Sequence, residues 1–157
     1  MNKFLLVLLF CVLGLVSCGD KNKIPTNEIH YTTLDNGVMP LENLFNFGEG
    51  QIVSNSYVQD NNLYILKFDK EVTQIWEGAF YGCTGISELS IPDSCSKIEM
   101  KAFQNCENLV SIHLPEPLIT EGGFTSINQN LFDGCVSLTT INLRYGITQI
   151  AQNAFRN

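Results

Sequence analysis

The feature that most constrains the fold is a short internal repeat in the C-terminal part of the chain. Each unit follows the pattern Ile-x3-Ala-Phe-x2-Cys-x2-Leu-x2-Ile-x-Leu, and units begin at Ile75, Ile98, Ile127 and Ile150, at spacings of 23, 29 and 23 residues. A unit this short cannot bury its own apolar side, so neighbouring units must stack and share one core. The repeat therefore excludes an ordinary globular arrangement for this region.

The two halves of the unit predict different local structures. The Leu-x2-Ile-x-Leu half alternates apolar and outward positions, which is typical of a short strand. The Ala-Phe-x2-Cys half predicts a compact helical or 3₁₀ turn that carries the chain back to the next strand. Stacking at about 4.8 Å then yields a parallel sheet. The predicted fold class is an α/β solenoid, with the parallel sheet on one face and short helical turns on the other.

The residues before the repeat allow two interpretations. Residues 51–69 match the apolar spacing of a degenerate first unit, but Asp60-Asn61-Asn62 between two β-rich runs also indicates a hairpin turn. We favour an N-terminal β-hairpin cap whose second strand, Leu63 to Phe68, begins the parallel sheet. In either case a terminal unit has to be atypical, because it covers the open edge of the core.

The first residues indicate export. Phe4 to Val16 is an apolar run of thirteen, too short to span a bilayer as a helix but suited to a signal peptide. The sequence Leu15-Val16-Ser17-Cys18 resembles the lipobox of bacterial lipoproteins. That resemblance implies cleavage before Cys18 and acylation of this residue; a plain secretory signal is the alternative. The predicted parts are a signal peptide (1–17), a lipidated cysteine and tether (18–27), a capping module (28–62) and repeats (63–157).

Composition limits the functional classes. The chain has 157 residues with 16 Asp and Glu against 9 Lys and Arg, a net charge of −7, which opposes nucleic-acid binding. Its two histidines, His30 and His113, belong to no catalytic motif, and no phosphate loop or carboxylate pair is recognised. We therefore expect no catalytic residue, metal site or cofactor.

The cysteines of the repeat are predicted to be structural. Cys83, Cys106 and Cys135 share one register, and we interpret them as small buried side chains that fill space behind the phenylalanines. Cys95 falls on another core position. A disulfide between neighbouring units is the alternative, since stacked strands lie within disulfide range, although side chains in one register point in parallel.

The outward strand positions form the predicted binding face. Register places Ile65 level with Glu88, and Lys67 level with Ser90. The face comprises Ile65, Lys67, Glu88, Ser90, Ser111, His113, Thr140, Asn142 and Arg144. An ordinary solvated sheet face is the alternative. Six additional residues between Leu114 and Ile127 form a predicted binding loop, since insertions in repeat proteins often lie on the binding side. Its named residues are Glu116, Leu118, Ile119, Glu121 and Phe124.

The repeat resembles the BspA-type leucine-rich repeats of bacterial surface proteins. The Ala-Phe-x2-Cys-x2-Leu block carries the resemblance over residues 63–157, and the runs 29–33 and 52–57 resemble the module that often precedes such repeats. The resemblance implies a solenoid displayed at the bacterial cell envelope, on the outer membrane, that binds a host or neighbouring-cell protein without catalysis. The alternatives are an accessory subunit of an envelope complex and a truncated member of a longer array with no dedicated ligand.

Overall fold

The computed structural model describes residues 23–35, 39, 47, 49–59, 62–115, 126–143 and 146–157. The described residues form strands and turns, and none of them lies in an α-helix. Ten strands follow in chain order: β1 (Glu28–Thr33), β2 (Ile52–Val58), β3 (Leu63–Phe68), β4 (Gln74–Ile75), β5 (Ile86–Ser90), β6 (Lys97–Ile98), β7 (Ser111–His113), β8 (Ser126–Ile127), β9 (Thr140–Asn142) and β10 (Gln149–Ile150).

The main sheet has six strands in the order β2-β3-β1-β5-β7-β9. Strands β5, β7 and β9 come from successive repeat units and pair in parallel, with Leu89 level with Ile112 and Ile141. The strand half of the repeat is thus formed in the predicted register. The same stacking recurs at the first position of the unit, where β4 pairs with β6 and β8 with β10, both in parallel.

The cap differs from the prediction in one strand. Strands β2 and β3 form the expected antiparallel hairpin, but Leu63–Phe68 does not begin the parallel sheet. Strand β1 lies between β3 and β5 and is antiparallel to both, with Tyr31 opposite Tyr64 on one side and Leu89 on the other. Ile29 and Tyr31 are fully buried, so β1 contributes to the core as well as to the sheet.

The turn half of each unit is a series of hydrogen-bonded turns rather than a continuous helix. The predicted helical form is not found, whereas bonds between residues three apart, such as Cys83 N to Phe80 O at 3.1 Å, follow the predicted 3₁₀ pattern. Two positions per turn have positive φ; they are Gly78, Lys101, Asn130 and Asn153 at the first, and Gly82, Asn105 and Gly134 at the second. A left-handed residue interrupts a right-handed helix, and glycine and asparagine tolerate that conformation best. Alternate N–H groups instead donate to the next unit: Phe80 N to Ala102 O at 2.8 Å and Phe103 N to Leu131 O at 3.1 Å. The turns therefore form a ladder between units.

A column of phenylalanine rings runs through the core. The rings of Phe80, Phe103, Phe132 and Phe155 stack in sequence, each 5.4 Å from the next between centroids. Phe47 packs edge-on against Phe80 at 5.2 Å and closes the N-terminal end of the column. Such aromatic pairs contribute roughly 0.5–1.5 kcal/mol each beyond the burial of their area.

Candidate binding face

The exposed side of the six-stranded sheet forms one continuous row of side chains. Ser56, Ile65, His30, Ser90, His113 and Asn142 are level across all six strands. Thr32, Glu88, Ser111 and Thr140 form a second row across four strands. These side chains point outward because their strand neighbours, such as Leu89 and Ile112, point into the core.

Most residues of the predicted face lie together in the structure, and two of them occupy other register positions than predicted. Glu88, Ser111 and Thr140 are level, as are Ser90, His113 and Asn142, as the register predicts. The predicted levels of Ile65 and Lys67 are wrong, because the inserted β1 shifts β3 along the sheet. Ile65 is level with Ser90 rather than Glu88, and Lys67 lies opposite Glu28. Arg144 lies outside the described residues.

His30 is a face residue that the sequence reasoning did not identify. Its strand separates Ile65 from Ser90, so its side chain occupies the centre of the row. Alternation of Ile29 and Tyr31 as inward residues could have shown that His30 points outward. The sequence around His30 does not indicate which strands lie on either side of β1.

A charged cluster marks the corner of the face beside the cap. Glu28 Oε2 lies 3.0 Å from His30 Nε2, and Glu28 Oε1 lies 3.8 Å from Lys67 Nζ. The Glu28 side chain is well shielded, while that of Lys67 is half exposed. Farther along, Glu88 and His113 are exposed, and the remaining residues of both rows are mainly small and polar.

The cysteine thiols of the repeat are buried in the core. Cys83, Cys95, Cys106 and Cys135 are free and buried, as interpreted from their register. The Cys106 thiol donates to Phe80 O and the Cys135 thiol to Phe103 O, both at 3.0 Å. Burial raises the pKa of Cys83 to about 11 and that of Cys95 to about 12. At neutral pH the Cys83 and Cys95 thiols therefore remain protonated and are poor nucleophiles, whereas the neighbouring Cys106 thiol lowers the pKa of Cys135.

The described part of the chain contains no group of three or more metal-ligating side chains. Within the same residues no helix has the length and apolarity needed to cross a membrane. Cys18 and the five named loop residues, Glu116 to Phe124, lie outside the described residues, so their predicted roles stay predictions. The described face can make hydrogen bonds, ion pairs and apolar contacts along its two rows of outward side chains.

An ionic contact that the sequence reasoning also missed joins the last turns. The Asp133 carboxylate accepts from Arg156 Nε at 3.0 Å and Nη2 at 2.8 Å, and from Gln104 Nε2 at 2.8 Å. The hydrogen-bonded Arg156 guanidinium lowers the pKa of Asp133. These three residues occupy the same register in consecutive units, which is the signal that could have identified them.

The last unit leaves apolar surface uncovered. Ile150 and Phe155 are 62% and 37% exposed, whereas their equivalents Ile127 and Phe132 are fully buried. A cavity of about 270 Å³ opens at this end of the core. Its lining consists of Phe132, Cys135, Leu138, Thr139, Ile141, Phe155 and Asn157.

The comparisons with known proteins address the repeat directly. The model of the family described as "BspA type Leucine rich repeat region" matches residues 50–157 with six copies. The matched region begins at the β2–β3 hairpin, upstream of the first predicted repeat at residue 63. No curated protein and no solved structure gives a significant match. The match covers more than half of the chain, which therefore belongs to the BspA-type leucine-rich repeat family.

Proposed function

We propose that this protein is a membrane-anchored surface lipoprotein whose repeats form a solenoid and bind another protein without catalysis, in adhesion or host interaction. The observation that carries the proposal is the continuous outward-facing row from Ser56 to Asn142 across six strands. Membership of a leucine-rich repeat family supports it, because stacked repeats create extended binding surfaces.

The size of the face suits a protein ligand better than a small molecule. Six strands at about 4.8 Å make a surface about 25 Å across, and the side chains of its rows are mainly polar. Specific small-molecule sites are usually concave and largely apolar. A face of this width supports modest affinity for a single copy, and many copies on one membrane would strengthen attachment through avidity.

The chain segment that would carry the lipid lies beside the first unit, which supports presentation of the binding face away from the membrane. Lys23, at the start of the described residues, lies 4.0 Å from Asp93 beside the first unit. A lipid on Cys18 would hold that end of the stack near the membrane, and two or more acyl chains give stable anchoring. The units farther along the stack would then extend from the surface.

Binding through the face is tested with a double variant on the face and a single-substitution control away from it. We expect the double variant Ser111→Arg, His113→Glu to reduce binding of the full chain to immobilised extracellular-matrix proteins by at least about tenfold, since charges at the centre of an interface are costly when unpaired. Gln129→Arg, on the exposed turn side, is the control and should bind like the wild type. Equal binding by all three proteins would contradict the proposed face.

The predicted loop is tested separately. Replacing residues 115–126 with a six-residue connection, the length found in the other units, should weaken the same binding if the loop contacts the ligand. Unchanged binding would remove the loop from the interface and leave the sheet face as the sole candidate. Copurification with envelope proteins and no binding to matrix proteins would instead favour an accessory subunit.

Anchoring is tested at a single residue. Cys18→Ala removes the proposed acylation site, and we expect the protein to move from the membrane fraction to the soluble fraction of cell lysates. Ser17→Thr, a neighbouring change that keeps the cysteine, is the control. Full retention of Cys18→Ala in membranes would contradict the lipoprotein assignment.

A further inference from the structure

Both histidines of the chain lie in one row of the binding face. The chain contains two histidines, His30 and His113, and the sheet brings them to the same level with Ser90 between them. We propose that this row takes an extended acidic segment of a protein partner and holds it more tightly in mildly acidic solution than at neutral pH. This assignment rests on the proposed binding face and adds the chemistry of its partner.

The row that contains the two histidines holds no carboxylate. We call it the histidine row; its members are Ser56, Ile65, His30, Ser90, His113 and Asn142. Imidazole is the side chain that ordinarily gains its positive charge between about pH 8 and pH 5, so this row is either neutral or positive. Hydroxyl, amide and imidazole groups all donate hydrogen bonds to carboxylate oxygens. The row therefore fits an acidic ligand better than a basic one.

The charged groups around His30 leave a cation as the most accessible group at that corner. On its own strand, Glu28 Oε2 lies 3.0 Å from His30 Nε2. On β3, Lys67 Nζ lies 3.8 Å from Glu28 Oε1, and the Lys67 side chain is 50% exposed against 15% for Glu28. A ligand that approaches this corner therefore meets the ammonium group first. On β5, the one charged side chain is Glu88, which is level with Thr32 in the second row.

Protonation of His30 changes its charge without breaking its contact with Glu28. The Glu28 carboxylate is an acceptor, so Nε2 donates the hydrogen of this contact and the proton gained in acid adds at Nδ1. The group formed by Glu28, His30 and Lys67 then changes from neutral to singly positive. The same strand positions present either charge state to a ligand.

His113 is the more exposed of the two imidazoles. The residues level with it on the adjacent strands, Ser90 and Asn142, carry no charge. On those two strands the nearest acidic side chain is Glu88, which lies in the second row, level with Ser111. Among the described strands no carboxylate thus lies at the level of His113, and a carboxylate of the ligand can occupy that place.

The spacing of the two imidazoles suits an extended segment. His30 and His113 are two strands apart, which is about 10 Å at about 4.8 Å per strand. In the polyproline II conformation, side chains three residues apart point to the same side and are separated by about 9 Å. Acidic residues at every third position of such a segment would therefore reach both imidazoles.

The overall charge of the chain acts against an acidic partner only at long range. The net charge is −7, but exposed charges more than about 8 Å apart are largely screened at physiological ionic strength. The groups in and beside the histidine row therefore decide the contact, with Glu88 as the closest opposing charge on β5.

Binding of a defined peptide tests the proposal. The probe is an immobilised twelve-residue peptide with Asp at every third position and Ala and Ser between, which stays ionised at both about pH 5.5 and about pH 7.5. The same peptide with Asn in place of Asp is the control. At equal ionic strength, we expect the full chain in detergent to bind the Asp peptide at least about fivefold more tightly at the lower pH, since each exposed ion pair contributes modestly. The Asn peptide should not bind measurably.

Substitutions separate the histidines from the rest of the chain. The double variant His30→Gln, His113→Gln should bind the Asp peptide equally at both pH values. His113→Gln alone, at an exposed position, should lose part of the difference and does not disturb the contact of His30 with Glu28. Gln129→His adds an imidazole on the exposed turn side and should keep the wild-type difference. Glu88→Gln should tighten binding at both pH values and also keep the difference.

The possible outcomes separate this proposal from the adhesion proposal. Equal binding of the Asp peptide at both pH values by the wild type, or a difference that survives in the double variant, would overturn the histidine row as the acidic site. Equal binding of the Asn and Asp peptides would overturn an acidic partner. Matrix proteins that bind equally at both pH values, with no binding of the Asp peptide, would overturn this inference and leave the proposed function standing. Histidine-dependent binding of the Asp peptide without binding of any matrix protein would do the reverse.

Discussion

The two ends of the repeat stack use the same repeat positions and leave them in different environments. At the N-terminal end, Phe80 packs between Phe47 and Phe103, and three antiparallel strands extend the sheet. At the C-terminal end, the one ring that packs against Phe155 among the described residues is that of Phe132. The contribution of a repeat residue to stability thus depends on the side chains that pack against it as well as on its residue type. The difference predicts a gradient of stability along the chain.

The largest expected effect is at the centre of the ring column. Phe103 is fully buried between two rings, and Phe103→Ala should lower the free energy of unfolding by about 3–5 kcal/mol. Phe155→Ala, the matched change at the exposed end, should lower it by about 1–2 kcal/mol, since less area is buried there. Urea unfolding monitored by circular dichroism measures both. Equal losses would contradict the difference between the two positions.

Phe47, which closes the N-terminal end of the ring column, should give the next largest loss of stability. Phe47 is almost fully buried against Phe68 and Phe80, and Phe47→Ala should lower the free energy of unfolding by roughly 3 kcal/mol. The same urea unfolding experiment reports this value. A loss as small as that of Phe155→Ala would show that the N-terminal end is no better covered than the C-terminal one.

The ionic contact at the C-terminal end should depend on pH. Because Arg156 lowers the pKa of Asp133, the pair stabilises the fold above the ordinary carboxyl pKa of about 4 and loses that contribution as the pH falls through the lower native value. The stability difference between wild type and Arg156→Gln should therefore be constant at neutral pH and shrink below about pH 4. Thermal unfolding from pH 7 to pH 2.5 measures it. A difference that grows on acidification would contradict the contact.

The smallest effect concerns a strained turn inside the stack. Lys101 has a φ of 58° where the first unit has Gly78 and the later units have Asn130 and Asn153. Lys101→Gly should raise stability by about 0.5 kcal/mol, since relief of left-handed strain outweighs the added flexibility of glycine. The Glu77→Gln background removes the Lys101–Glu77 ion pair of 3.0 Å from the comparison. A loss of stability in that background would contradict the strain.

The parts of the fold that follow from local repetition were predictable from the sequence. Strands β5, β7 and β9 and the buried cysteines follow the spacing of the unit, because each unit packs on its neighbour in the same way. The apolar spacing of the turn predicts a helical or 3₁₀ turn, because this spacing carries no signal for the left-handed residues that interrupt a helix. Gly82, Asn105 and Gly134, which occupy one register, carry the left-handed signal.

The parts that depend on distant pairing were not predictable from one sequence. Strand β1 alternates as a strand should, but its partners lie in β3 and β5, about 35 and 60 residues away along the chain. Neither composition nor periodicity specifies such neighbours. The displaced levels of Ile65 and Lys67 and the missed role of His30 all follow from this single strand.

Amide hydrogen exchange, resolved by residue, tests the asymmetry of the stack most directly. Protection reports local opening, so it should be highest for the inter-unit N–H groups of Phe80 and Phe103 and fall toward Phe132, whose amide donates to Ala154 O in the uncovered last unit. Slowest exchange at Phe80 and Phe103 and clearly faster exchange at Phe132 is the predicted result. Equal protection at all three, or greater protection at Phe132, would contradict a stack that is closed at one end and open at the other.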